Sequence, residues 1–344
     1  MITGNPRASE AWIRQSPRFF AALIARFAVG YAFVSFTDLA KHWVFPYKAK
    51  PFIKWVGGKA QLLEQFEPLL PRGFEQWDNV TYVEPFVGGG AMLFFMLQRF
   101  NNIKRVVIND INQNLTEAYK NVKDHAEELV YKLKQIEKKY SAIQDSELQK
   151  KYYLEFRRRF NEEELTSIER TSLLVFLNRT CFNGLYRENS KGMFNVPFGR
   201  YINPTICNEE VIYADSELLN QFDVSILNVD FLETANVIHK GRCFFYFDPP
   251  FRPLSATSSF NSYVKEEFGD ERQKELAGFC RRLSENENVK WMLSNADCSA
   301  KNPEDLFFET IYDGFNIHRV YASRSVNADA SKRGKLTELL ITNY

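Results

Sequence analysis

From residue 50 onward the chain alternates two kinds of segment. Short apolar runs stop at an acid, a proline or a glycine, and longer stretches carry apolar residues at helical spacing among charges. Thr81 to Glu84 predicts a first strand, Ala91 to Arg99 a helix, and Arg105 to Asn109 a second strand ending at Asp110. Residues 112 to 178 are polar and helical in character, with charged runs from Glu127 to Lys139 and from Glu147 to Arg159. Residues 180 to 205 are rich in Asn, Gly and Pro, which predicts a hairpin or ordered loop. Strand signals return at Val224 to Val229, Phe244 to Asp248, Trp291 to Ser294 and Lys335 to Ile341, with helical stretches between them. Such alternation predicts a doubly wound α/β sheet, interrupted by a mainly helical lobe. The expected division is an extension over 1–49, a sheet domain built from 50–111 and 206–344, and an inserted lobe over 112–205.

The first fifty residues do not share this pattern. Phe19 to Phe36 is an apolar, aromatic run broken by Arg26. A central arginine costs a few kcal/mol on insertion, and the run sits at the lower limit of spanning length, so no stable membrane partner is expected. Arg14 and Arg18 precede it as in a signal peptide, but a small-residue cleavage site is not evident. A dispensable extension or an upstream-called start is the preferred reading.

Composition narrows the class further. With 45% hydrophobic and 25% charged residues over 344 positions, the chain fits a globular protein with one large core, not a collagen-like, coiled-coil or disordered one. A net charge of +1 implies no global attraction to polyanions, so any nucleic-acid surface must be a local patch. The five cysteines are scattered without a CxxC pair, which points to a reduced, cytoplasmic protein without structural zinc. The four histidines form no HExxH cluster, and no catalytic metal is expected.

The chemistry gathers at predicted strand ends. Residues 243–251 read Cys-Phe-Phe-Tyr-Phe-Asp-Pro-Pro-Phe. Pro249 and Pro250 lack backbone donors and fix φ, so the strand stops there and leaves the Asp248 carboxylate and main-chain carbonyls at its open end. An amino group held between Asp248 and the Pro249 carbonyl would donate both hydrogens and free its lone pair for attack, and Phe251 would offer a flat face to a ring. An ordinary X-Pro turn after a buried strand is the alternative. Upstream, Tyr82-Val-Glu-Pro-Phe-Val-Gly-Gly-Gly90 is a strand, a glycine loop and a helix start, but not the GxGxxG of dinucleotide binders. Asp110 suits a carboxylate accepting from ribose hydroxyls, or equally a helix cap. Trp55-Val-Gly-Gly-Lys59 puts an aromatic ring and a cation into one turn, whose plainer reading is a helix entry.

Taken in order, Trp55 to Lys59, Glu84 to Gly90, Asp110, Asn178 to Arg200, Asp248 to Phe251 and Glu338 to Tyr344 resemble the Dam-like, D12 class (α-type) adenine-specific DNA methyltransferases over about Pro51 to Tyr344. Phe251 replaces the family's usual tyrosine but keeps a stacking face. The resemblance implies a Rossmann-like S-adenosylmethionine-dependent methyltransferase sheet, S-adenosyl-L-methionine as methyl donor, no metal, and double-stranded DNA as partner. It assigns Asp248, Pro249, Pro250 and Phe251 to catalysis. Trp55, Lys59, Glu84, Phe86, Gly88, Asp110, Asp230 and Asp248 fall to the cofactor, with a capping role as the alternative for Asp230. The inserted lobe would recognise DNA, and Phe182, Asn183, Leu185, Arg187 and Pro197 on its hairpin would read GATC, the target adenine being flipped out. A cognate restriction endonuclease acting at the same site is an implied partner. Between Lys150 and Arg200 there are ten Lys/Arg against six Glu, so Arg157 to Arg159 could meet phosphates or form a solvated helix face. Methylation of another amino acceptor, such as cytosine or RNA adenine, and a non-enzymatic DNA-binding module are the competing classes.

Overall fold

The computed structural model describes residues 48–238, 241–252, 268–323 and 335–344, so the apolar run from Phe19 to Phe36 lies outside the described residues. Seven strands form one sheet in the order β3-β2-β1-β4-β5-β7-β6: β1 Val80–Glu84, β2 Ile103–Asn109, β3 Asp223–Leu227, β4 Cys243–Phe247, β5 Val289–Ala296, β6 Asn316–Ser323 and β7 Lys335–Thr342. The first five are parallel, and β7 runs antiparallel to both of its neighbours.

The apolar run of β4 is explained by its place at the centre. Phe244 and Tyr246 enter the core on one face of the sheet, whereas Cys243, Phe245 and Phe247 enter the core on the other. A strand covered on both sides loses the alternation that a half-solvated strand shows. The β6 strand was not anticipated, because its sequence Asn-Ile-His-Arg-Val-Tyr-Ala-Ser mixes polar and apolar residues as an edge strand tolerates.

One core takes in the helices α1 Ala91–Arg99, α2 Gln113–Asp124, α3 Ala126–Ser141, α4 Ser146–Glu162, α5 Ser167–Thr180 and α6 Glu209–Asn220. The other is closed by α7 Asp270–Ser284, a 3₁₀ segment Phe231–Val237 and the short helix Phe307–Ile311. The long polar region thus resolves into four helices with local stop and start signals. Asn112 caps α2 through Asn114 N and Leu115 N, Asp145 caps α4, and Thr166 with Glu169 forms a capping box on α5. Helix α5 is buried nearly all round, from Ile168 to Thr180, and is the axis on which the other lobe helices pack. Residues 181–205 form a loop-rich hairpin held by isolated bridges between Cys181 and Phe198 and between Glu188 and Phe194. No described helix is long and apolar enough to cross a membrane.

Candidate active site

Parallel strands expose their carboxyl ends on one edge of the sheet, and open α/β sheets bind ligands there. Glu84, Asn109 with Asp110, and Asp248 stand at the ends of β1, β2 and β4, three adjacent strands. Asn109, fully buried, pins this edge: its Nδ2 donates to Pro85 O and Val229 O, each at 3.0 Å, and its Oδ1 accepts from Val229 N at 2.9 Å.

The glycine loop is shaped for close approach. Gly88 has φ +48°, and a Cβ there would lie 2.9 Å from Trp55 Cδ1. Its N–H donates to Asp110 Oδ2 at 3.1 Å, and its carbonyl accepts from Tyr119 Oη at 3.0 Å. The second oxygen of Asp110 accepts from Asn112 N at 2.9 Å. Since Asn112 is the residue that caps α2, the capping alternative for Asp110 does not hold. Burial pushes the Asp110 carboxyl up to about 6, against the two backbone N–H groups that favour its ionised form. Phe86 packs on Phe231 and Phe268, with ring centroids at 5.3 and 5.5 Å. Asp230 accepts from Leu232 N at 3.0 Å, which makes it the cap of the 3₁₀ segment, and its other oxygen pairs with Arg272. Glu84 is buried and accepts from Tyr82 Oη at 2.7 Å; burial, and next the nearby Asp248 charge, raise its carboxyl well above the ordinary range, against the Tyr82 hydrogen bond.

Lys59 and Asp248 meet at the end of β4. The Lys59 ammonium, 3% exposed, lies 2.9 Å from Asp248 Oδ1, donates to Gly57 O at 2.7 Å, and stands 4.3 Å from the Phe251 ring centroid. Glu338 Oε2 is a second carboxylate oxygen 3.7 Å away. Ser294 Oγ also donates to Asp248 Oδ1, at 2.9 Å, and is itself 3.1 Å from Tyr246 Oη. The Asp248 side chain keeps 22% of its surface open, and its Oδ2 has no hydrogen-bond partner among the described residues. Burial raises the Asp248 carboxyl, with Lys59 and Ser294 opposing. Beyond it the chain is tied down: Gln273 Nε2 donates to Pro250 O at 2.9 Å, and Arg252 pairs with Asp270 at 2.7 Å and Asp305 at 2.6 Å. Sequence reasoning did not single out Ser294 or Gln273, and it gave Glu338 no role. Ser294 and Glu338 had only one signal, a polar residue inside an otherwise apolar strand.

The hairpin residues fall into two groups. Phe182 is half exposed, Pro197 is exposed, and Asn183 takes a left-handed φ of +56°. Leu185 is partly buried against the core, and Arg187 Nε donates to Asn195 Oδ1 at 2.7 Å across the hairpin. Phe182 N donates to Pro197 O at 2.8 Å, closing the base. Asn178, buried at the end of α5, joins this hairpin to the tryptophan turn: it accepts from Lys54 N and donates to Lys54 O and Gly184 O, all at 2.9 Å. The arginine run is engaged within the protein. Arg157 Nη1 donates to Val196 O, Arg158 pairs with Glu155, Glu162 and Glu163, and Arg159 pairs with Glu163. Arg158 and Arg159 form a self-compensated helix face, their charges matched by glutamates, whereas Arg157 gives its guanidinium to a backbone carbonyl.

An open sheet with an acid at the end of β2 and an Asp-Pro-Pro-aromatic end on its central strand is consistent with an S-adenosylmethionine-dependent methyltransferase fold. Residues 55–326 match the D12 class of N6 adenine-specific DNA methyltransferases. The chain belongs to that family and is an adenine-specific DNA methyltransferase. It is 43% identical over 300 residues to the Type II methyltransferase M.MjaIII of Methanocaldococcus jannaschii, covering 86% of this chain and 100% of that one. It is 38% identical to the Type II methyltransferase M1.LlaDCHI of Lactococcus lactis subsp. cremoris, over 86% and 95% of the two chains. Identity to the DNA adenine methylase of Escherichia coli K12 is 32%, over 85% and 95%. Membership implies S-adenosylmethionine as the methyl donor, and the Asp110 carboxylate at the end of β2 beside the glycine loop is an acceptor of the kind that a nucleoside's hydroxyls need.

Proposed function

We propose that the protein methylates the exocyclic amino group of adenine within GATC in duplex DNA, on a base turned out of the helix. An amino group inside a stacked duplex does not reach the end of β4, and extrusion costs a few kcal/mol. Phe251 provides a stacking face, worth about 1–3 kcal/mol per base, that offsets much of this. The observation that carries the reading is the division of labour at Asp248: Oδ1 is held by Lys59 and Ser294, and Oδ2 has no hydrogen-bond partner among the described residues. Asp248 Oδ2 and the Pro249 carbonyl accept the two amino hydrogens, giving the nitrogen sp³ character and aiming its lone pair. S-adenosylmethionine supplies, when bound, an electrophilic methyl group on its sulfonium. Asp110 holds the ribose hydroxyls, the Phe86 to Gly90 loop approaches the methionine portion, and Lys59 stands near its carboxylate. Glu84, Asp230 and Phe86 line the same edge, with Asp230 acting through Arg272. Alignment of this kind supplies several kcal/mol of the barrier reduction.

The 112–205 lobe is the recognition element in this reading. Arg187 meets guanine, Leu185 and Pro197 meet base edges or the thymine methyl, and Phe182 with Asn183 enters the stack from the exposed base of the hairpin. The names of two relatives as Type II methyltransferases favour a restriction endonuclease acting at the same site as a partner, and action on DNA favours a cytoplasmic location. The test is methylation of duplexes carrying each single-base change in GATC. Unchanged turnover when the guanine is replaced would refute the site assignment.

A further inference from the structure

Tyr186 stands between Leu185 and Arg187, the two hairpin residues assigned to base reading, yet it points into the protein. Its ring stacks on Trp55 with centroids 5.3 Å apart at 26°, and packs against Phe194 at 5.7 Å. Trp55 in turn lies on Gly88 and Gly89, so Tyr186 is one aromatic layer removed from the glycine loop. Its hydroxyl makes a second connection. Asn114 Nδ2 donates to Tyr186 Oη at 3.0 Å, and the hydroxyl donates to Glu188. Asn114 belongs to the first turn of α2, its N–H is bound by Asn112 Oδ1, and Asn112 N is bound by Asp110. Two separate paths, one through stacked rings and one through hydrogen bonds, therefore run from the cofactor loops to one hairpin side chain.

We propose that Tyr186 is a positioning residue that couples cofactor binding to DNA recognition. Seating of the nucleoside against Trp55 and Asp110 fixes the tryptophan ring and the α2 entry. Those two groups fix Tyr186, and its flanking residues Leu185 and Arg187 then meet the bases in register. A free energy shared by two sites acts equally in both directions, so DNA in the hairpin must tighten the cofactor by the same factor that cofactor tightens DNA. The inference rests on the hairpin being the DNA-reading element.

The experiment uses the full chain, S-adenosylhomocysteine and a GATC duplex. Duplex affinity is measured with and without S-adenosylhomocysteine, and S-adenosylhomocysteine affinity with and without duplex, each at one fixed salt concentration. Tyr186→Leu is expected to reduce the coupling factor by about fivefold or more. Tyr186→Phe keeps the stack and loses the hydroxyl path, so it is expected to lose only part of the factor. Asn114→Ala should match Tyr186→Phe, and the double variant should lose no more than either alone. A purely structural role lowers the folded fraction and leaves the ratio of dissociation constants unchanged, so the ratio separates the two explanations. Wild-type coupling in Tyr186→Phe, Asn114→Ala and every Tyr186→Leu preparation that folds overturns the proposal. If Arg187→Ala keeps guanine discrimination while the Tyr186 variants lose coupling, the GATC reading fails and the coupling stands.

Discussion

Lys59 and Ser294 hold the same oxygen of Asp248, each at 2.9 Å, and the other oxygen has no hydrogen-bond partner among the described residues. Loss of Ser294 removes one of two donors to Oδ1 and lets the carboxylate rotate. Ser294→Ala is expected to lower kcat about tenfold, with little change in S-adenosylhomocysteine affinity. The Ser294 hydrogen bond also opposes the burial that raises the Asp248 carboxyl, so its removal raises that carboxyl further. Because only the ionised form accepts both ways, the acid limb of the pH–kcat profile should move to higher pH. A profile that stays in place, or moves to lower pH, would contradict the role.

Asp248→Ala removes the acceptor itself. Turnover should fall by a hundredfold or more, about 2.7 kcal/mol of barrier, in a protein whose unfolding remains cooperative. Phe251→Tyr keeps the ring and should stay near wild type, whereas Phe251→Ala should be damaging. Single-turnover methylation of a GATC duplex distinguishes these outcomes, and substantial turnover by folded Asp248→Ala would dismiss the assignment.

Asp110 carries a pH signature of opposite sign for stability and for binding. Its carboxyl is raised by burial to about 6, above the 3.8 of a free aspartate. The resulting stability is fully present below about pH 4 and is lost as pH rises through 6, on the order of 2–3 kcal/mol in all. Ribose hydroxyls favour the ionised form, so S-adenosylhomocysteine should bind more tightly as pH rises, by up to about tenfold per pH unit below 6. Asp110→Asn should abolish the binding dependence and remove Asp110's share of the stability dependence, the buried Glu84 and Asp248 carboxyls keeping theirs, read by calorimetric titration and by denaturant unfolding across pH 4 to 8. Persistence of the binding slope in Asp110→Asn would locate the titrating group elsewhere.

Arg187 and Arg158 should behave differently towards DNA. Arg187→Ala is expected to relax discrimination at guanine by about 1–3 kcal/mol. Arg158, already matched by three glutamates, should leave the salt slope of duplex binding unchanged when replaced by alanine. A slope reduced by about one in Arg158→Ala would mean that it leaves its glutamates for a phosphate.

The residues at the sheet edge were legible in the sequence because strand ends there are marked by proline, glycine and acid. Asp248, the Gly88 loop and Asp110 are read from such punctuation, and the structure places all three on adjacent strands. Ser294 and Glu338 were not legible as site residues, since their significance comes from the lateral order of β4, β5 and β7, which no local pattern encodes. The edge strand β6 was missed for a similar reason, its polarity reflecting position in the sheet. The positive excess in the lobe left phosphate contact and a solvated helix face equally open, because composition counts charges without showing that Arg157 to Arg159 have partners within the protein.

Asn178 reaches Lys54 across 124 positions of chain, and Asn109 reaches Val229 across 120. Closing such long loops costs entropy that is recovered only when both ends are in place. The contacts that hold the tryptophan turn and the end of β2 therefore need α5 and the segment after β3 in place, and neither is secured by its own neighbours in sequence. A ligand that binds where these segments meet stabilises the fully assembled chain and not its parts.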